Sequence, residues 1–201
     1  MVHLAIFDYG AGNIFSLKNS LEKTGATVDV ITNFDKPNIY SGLLLPGVGN
    51  FDPAIKSISK SKTNFINYVK DNTPVLGICL GMEMFFDKSE EGNEKGLGVI
   101  KGDVIILPPS MKVPHMGWNN LEIKKSGKIL EGVKDSAWVY FVHSYRVNPA
   151  NNDIITAESD YGIKVPAVVE QGNFFGTQFH PEKSGKVGKI MIQNFLDVCK
   201  K

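Results

Sequence analysis

One arginine, Arg146, stands among 201 residues, and there are only two cysteines, Cys79 and Cys199. With a single guanidinium the chain has almost no means of clamping phosphates bidentately or reading guanine edges, so no nucleic-acid partner is expected. Two thiols allow at most one disulfide, which fits a reducing cytoplasm. Neither sign of charge is in excess, with 22 basic against 21 acidic residues, and nothing there calls for a polyanionic partner. No stretch approaches the roughly 20 apolar residues that a membrane helix requires. The opening Met1-Val-His-Leu-Ala-Ile-Phe-Asp8 is too short, and too soon interrupted by charge, for a signal peptide. The expectation is a soluble, cytoplasmic protein without membrane contact, folded as one domain over residues 1–201.

What is present is an alternation of apolar runs and amphipathic stretches. Val2–Asp8, Val28–Ile31 and Gly42–Leu45 read as buried strands. A helix from about Asn13 to Lys23 carries Ile14, Leu17 and Leu21 on one face. Asp52-Pro53 reads as an N-cap with proline at the first helical position, and a further helical stretch surrounds Phe65–Val69. From Gly98 to Val142 the chain reads mostly as strands and turns, including Val99–Leu107 and Trp118–Ile123, with one helical turn near Lys128. Strands at Ile154–Glu158, Pro166–Glu170 and Phe174–Phe179 lead to a closing helix, Lys186–Val198, whose Ile190, Phe195 and Val198 are expected to face the sheet. The fold class is α/β: a doubly wound, mostly parallel sheet with helices on both faces and an extra β-rich segment in the middle. Gly10-Ala-Gly12-Asn-Ile-Phe15 imitates the start of a dinucleotide fingerprint, but Phe15 stands where close helix–strand packing needs a third glycine, so this turn reads as structural.

The chemistry concentrates in Gly77-Ile78-Cys79-Leu80-Gly81, where an apolar strand runs straight into a helix. Such a turn lifts one side chain clear of the sheet, and flanking glycines leave room for the bend and a substrate. A helix starting near Leu80 would aim its free N–H groups at the sulfur and favour thiolate, the nucleophile of acyl transfer. The bland reading is a small buried hydrophobe. Against it stands Gly176-Thr-Gln-Phe-His180-Pro-Glu182. In an extended segment, residues i and i+2 point the same way, and Pro181 keeps the segment out of a helix, so His180 and Glu182 lie side by side as base and orienting group.

A cysteine elbow followed by a distant His-Pro-Glu resembles the triad glutamine amidotransferases. Pro114-His-Met-Gly-Trp-Asn119 and Tyr140-Phe-Val-His-Ser-Tyr-Arg146 narrow the resemblance to the glutaminase subunits of imidazole glycerol phosphate synthases, and it runs from Asp8-Tyr-Gly-Ala-Gly-Asn13 to the C-terminal helix. It implies hydrolysis of glutamine to glutamate and ammonia, with the ammonia passed, in histidine biosynthesis, to a cyclase subunit in a one-to-one heterodimer. The partner would make imidazole glycerol phosphate and an aminoimidazole carboxamide ribonucleotide. No cofactor or metal is implied. By the same resemblance Cys79 is the nucleophile, His180 the proton shuttle and Glu182 its orienting partner. Leu80 and the mobile Gly47-Val48-Gly49 segment would form the oxyanion hole. Glu83, Glu91, Ser144 and Tyr145 would hold glutamine, and Met116, Trp118 and Tyr140 would face the cyclase.

Glu83 departs from the family pattern, which has glutamine there; an ionised carboxylate accepts hydrogen bonds but cannot donate them. Outside the family context, Glu83 and Glu91 read as solvated surface carboxylates, Gly47 and Gly49 as a strand-end turn, and Met116 as core filling. His143 lacks a carboxylate two residues away and reads as structural or interfacial. Another triad glutaminase, such as that of pyridoxal phosphate synthesis, or a gamma-glutamyl hydrolase is opposed by Pro114–Asn119. A catalytically weak regulatory subunit is favoured only by Glu83.

Overall fold

The computed structural model describes residues 2–10, 14–35, 39–70 and 72–200. In chain order its elements are β1 (His3–Phe7), α1 (Ile14–Glu22), β2 (Thr27–Ile31), β3 (Gly42–Leu45), α2 (Phe51–Ser59), α3 (Lys62–Lys70), β4 (Val75–Ile78), α4 (Leu80–Glu83), β5 (Lys88–Ser89), β6 (Gly102–Ile106), β7 (His115–Asn120), β8 (Glu122–Ile123), β9 (Trp138–His143), β10 (Tyr145–Pro149), β11 (Ile155–Asp160), β12 (Lys164–Gln171), β13 (Phe174–Thr177) and α5 (Gly185–Val198). Single 3-10 turns stand at Asn152–Ile154 and Pro181–Lys183.

The main sheet has the order β2-β1-β3-β4-β13-β12-β11-β8. Its first five strands pair in parallel, and the last three extend it antiparallel. Alternate residues of one strand enter opposite cores: Leu4 and Ile6 meet Leu17 of α1 and Phe195 of α5, while Ala5 and Phe7 share the other core with Ile55 of α2 and Phe65 of α3. Strands covered on both faces need apolar side chains at every position, which is why Leu43–Leu45 and Val75–Ile78 read as unbroken apolar runs. The middle of the chain adds a small sheet, β10-β6-β5, and a two-stranded ribbon, β7-β9. No helix among the described residues is long and apolar enough to cross a membrane.

Four local expectations are corrected. Asn50, not Asp52, is the N-cap of α2, and Asp52 and Pro53 lie inside its first turn, where a missing N–H costs nothing. The Asp52 carboxylate instead accepts the backbone N–H groups of Asn93 and Glu94. Lys128 carries no helical turn; that stretch is held by reverse turns closed by Leu130 N to Gly127 O and Val133 N to Leu130 O. In α5 the buried stripe runs through Met191, Ile192, Phe195 and Leu196, leaving Ile190 39% exposed, one helical step off that stripe. Phe15 is 75% exposed and points away from the strand rather than wedging against it. Ala11, Gly12 and Asn13 of the glycine-containing turn lie outside the described residues.

β3, β4 and β13 are adjacent and parallel. Their C-terminal ends therefore open on one edge, the edge where ligands bind in such sheets. Pro46–Gly49, Cys79 and Gln178–Glu182 follow directly from those three ends.

Candidate active site

Cys79 links β4 to α4 with φ 50° and ψ −109°, a conformation L-residues avoid, at a cost of about 1–3 kcal/mol. Glycines two residues to either side, and Gly47 on the adjoining strand end, leave the space the bend occupies. A Cβ on Gly81 would collide with the Leu45 carbonyl, and one on Gly47 with the Ile78 carbonyl. The Cys79 amide donates to the Thr177 carbonyl at 2.6 Å, which ties the elbow to β13.

His180 and Glu182 come together, but not in an extended segment. His180 is extended and caps the 3-10 turn Pro181–Lys183, with proline at the turn's start, so Glu182 is folded back toward the ring. His180 Nδ1 lies 2.8 Å from Glu182 Oε1. An ionised carboxylate only accepts, so Nδ1 carries the proton and Nε2 of the neutral ring is the basic nitrogen. Nε2 is buried and has no hydrogen-bond partner among the described residues. Ser184 locks the backbone behind the ring, its hydroxyl accepting from Tyr140 N at 3.0 Å and donating to His180 O at 2.6 Å.

The thiol is not held as a thiolate. Burial pushes the Cys79 thiol well up and the Glu83 charge adds to it, against weaker lowering by the Leu80 N–H and the Gln178 amide. Helix α4 spans only Leu80–Glu83 and its dipole does not overcome desolvation. The Cys79 thiol donates to the Val142 carbonyl at 3.7 Å, and Gln178 Nε2 donates to the sulfur at 3.8 Å. Glu83 is buried rather than solvated, accepting from Gln178 Nε2 at 3.1 Å. Burial, then the Glu91 charge, raise its carboxyl to about 7 against the opposing Gln178 bond.

A cleft of about 310 Å³ opens over the sulfur. Its lining brings together Gly47, Val48, Gly49, Leu80, Glu83 and Glu91 with His143, Ser144 and Tyr145. Gly49 holds φ 130°, where glycine alone is comfortable. Glu91 is half-buried and accepts the Phe51 N–H at 3.0 Å. Met116 is 62% exposed and Trp118 52% exposed, so neither fills a core; Tyr140 is half-buried beside Trp118, ring centroids 6.0 Å apart.

Sequence reasoning missed Gln178, Trp138 and the burial partner of His143. Gln178 sits two residues before His180, and the i, i+2 alternation applied to Glu182 could have been run in the other direction. Trp138, 59% exposed, shares the face of Met116, Trp118 and Tyr140 through the β7–β9 register. His143 is buried against His115, a pairing between strands distant in sequence that leaves no local signal.

The family model described as glutamine amidotransferase class-I matches residues 5–199. The chain is 43% identical to the imidazole glycerol phosphate synthase subunit HisH of Methanocaldococcus jannaschii, over 97% of this chain and 99% of that one. It is 46% identical to the subunit of the same name from Archaeoglobus fulgidus, over 98% and 100%. Among solved structures, a crystal structure described as a glutamine amidotransferase superposes with a TM-score of 0.77 at 18% identity, covering 98% and 99% of the two chains. PurLQS from Thermotoga maritima gives 0.76 at 17% identity, covering 98% of each. These two likenesses are of fold.

Proposed function

The chain belongs to the class-I glutamine amidotransferase family, and on that premise we propose that it is the glutaminase subunit of an imidazole glycerol phosphate synthase, acting as one amidotransferase domain in the cytoplasm. It hydrolyses glutamine to glutamate and ammonia and hands the ammonia to a cyclase subunit in histidine biosynthesis. The observation that carries the reading is the His180–Glu182 pair at 2.8 Å, with the unpartnered Nε2 of His180 at the sheet edge that also presents Cys79.

Because the resting sulfur is a thiol, attack needs a base. His180 Nε2 takes the Cys79 proton as the sulfur bonds to the side-chain amide carbon of glutamine. Glu182 stabilises the imidazolium that forms. His180 then gives that proton to the amide nitrogen, the C–N bond breaks and ammonia leaves, with the glutamyl group on Cys79 as a thioester. Water attacks the thioester while His180 removes its proton; glutamate departs, and the sulfur recovers its proton from His180. The oxyanion of each tetrahedral stage is served by the Leu80 N–H and the Gly47–Gly49 segment. Ammonia freed into neutral water would be protonated and lose its lone pair, so a partner must cover the cleft. The exposed apolar face of the β7–β9 ribbon, with Met116, Trp118 and Tyr140, is the surface offered to it.

The test is glutamate release by the purified chain, alone and with a purified cyclase and that cyclase's nucleotide ligand. Release that rises on adding the pair is expected. No release under any combination overturns the reading.

A further inference from the structure

Strand β7 has two working faces. Met116 and Trp118 point to solvent, while His115 lies on the opposite face, stacked on Phe141 and Tyr161 with ring centroids 4.7 and 3.8 Å away. Register sets His115 opposite His143 of β9, and His115 Nδ1 lies 2.9 Å from His143 Nε2. The direction of that bond is fixed from its far end. His143 Nδ1 is 2.7 Å from the Tyr145 carbonyl oxygen, which can only accept, so this ring carries its proton on Nδ1. A neutral imidazole has one N–H; His143 Nε2 is therefore bare, and His115 donates to it from Nδ1. His115 Nε2 is then bare in turn and faces the Asn119 side-chain amide nitrogen at 3.4 Å. That same nitrogen sends its second hydrogen to Asp160 O at 2.9 Å. Burial pulls His115 down to about 4 and His143 to about 3, the latter also opposed by charge on His115 and His180, so both rings are neutral at neutral pH. The four groups form a chain of donors that runs one way, from Asn119 through both rings to Tyr145.

We propose that His115 and His143 are positioning residues for glutamine: this one-way chain holds the Val142–Tyr145 backbone against the cleft and ties it to the exposed face of β7, so a partner seated on Met116 and Trp118 acts on the substrate-binding wall. The inference rests on the glutaminase reading above. The same short segment contributes the Val142 carbonyl that accepts the Cys79 thiol and the Ser144 and Tyr145 wall of the cleft. Displacing the Tyr145 carbonyl moves all three. Six consecutive cross-strand pairs join β7 to β9, and the His143 bond to the Tyr145 carbonyl carries the link on past the end of β9 to the first residue of β10, so the connection is a continuous run of bonds.

The test exploits direction. His115→Asn keeps an N–H donor near the place of Nδ1, His115→Asp puts an acceptor of the same size there, and His115→Phe keeps the stacking but removes the bond. In the complex with cyclase and its nucleotide ligand, the Asn variant is expected within about twofold of the parent in KM for glutamine. The Asp and Phe variants should raise KM roughly tenfold with kcat little changed, as for loss of a buried hydrogen bond that positions substrate. Asn and Asp variants that behave alike overturn the proposal. Where the Asp variant fails to fold, ring 15N shifts of the parent protein decide independently. Both histidines should be Nδ1–H tautomers that do not titrate from about pH 6 to about pH 8; an Nε2–H form of either overturns the chain. A parent protein that shows this tautomer signature but hydrolyses no glutamine defeats the glutaminase reading and, with it, the proposed role, while leaving the chain's direction established.

Discussion

Gln178 donates from Nε2 to Glu83 Oε1 at 3.1 Å, and that same nitrogen is 3.8 Å from the Cys79 sulfur. One amide therefore serves both the carboxyl and the nucleophile. When Glu83 ionises, it draws the amide more strongly and sets a negative charge beside a sulfur that must itself become negative. The protonation of Glu83 and the reactivity of Cys79 are coupled through this contact.

Stability against pH should register the buried carboxyl. In the unfolded chain Glu83 ionises near the ordinary 4.5 of a glutamate, and in the folded chain at about 7. Below the lower value both states are protonated. Between the two, only the folded state keeps the proton, and that advantage is lost as pH rises through the folded value. Glu83→Gln should match the parent near pH 4 and exceed it above neutrality, by on the order of 3 kcal/mol at most, in urea midpoints. A gain that is the same at every pH would sink this account.

The same substitution should make the thiol more reactive. With the Glu83 charge gone, the rate profile for alkylation of Cys79 should move to lower pH, and kcat/KM for glutamine should rise at neutral pH, in part through a lower KM because an amide donor is restored. An unchanged alkylation profile, with Cys199 removed to leave one thiol, would mean that desolvation alone holds the proton.

Cys79→Ala should abolish glutamine-dependent synthesis by the complex while leaving synthesis from added ammonium salts, since the ring-forming chemistry belongs to the partner. His180→Ala should behave likewise. Glu182→Gln should be milder than either, because it orients a base acting on an intrinsically nucleophilic sulfur. Glutamate release by the Cys79→Ala chain above background, or a Glu182→Gln chain equally dead, contradicts these roles.

The isolated chain should be a poor glutaminase. If the Gly47–Gly49 segment proposed for the oxyanion hole rests in an orientation that withholds one donor, the isolated chain loses about 10²–10³ in kcat. Adding cyclase and its nucleotide ligand should recover a comparable factor by shifting the population. Trp118→Ala should lose most of the stimulation and keep the basal rate. Equal rates for the lone chain and the loaded complex would remove the gating idea.

Much of this architecture is legible in the sequence because parallel strands covered on both faces must be apolar throughout. Leu43–Leu45 and Val75–Ile78 can hardly be anything else, and the strand-to-helix glycines around Cys79 mark the elbow. The contacts that depend on long-range register are not legible. His115 meets His143 only because β7 pairs with β9, and Gln178 meets Glu83 only because β13 lies beside β4. Glu83 reads as a surface charge because carboxylates are seldom buried; its burial follows from a helix of four residues packed under the sheet edge. The helix dipole expected to activate Cys79 is outweighed for the same reason.

The backbone at Cys79 carries a selective consequence. With φ at 50° and ψ at −109°, glycine is the residue that would sit there most comfortably, so Cys79→Gly should give a chain harder to unfold than the parent and unable to hydrolyse glutamine. A lineage that no longer needed the reaction would gain stability by discarding the thiol, and drift would carry it toward glycine. The Cys79 backbone thus opposes folding at the point where the sulfur must be presented, and only the packing of the thiol in the core offsets that strain.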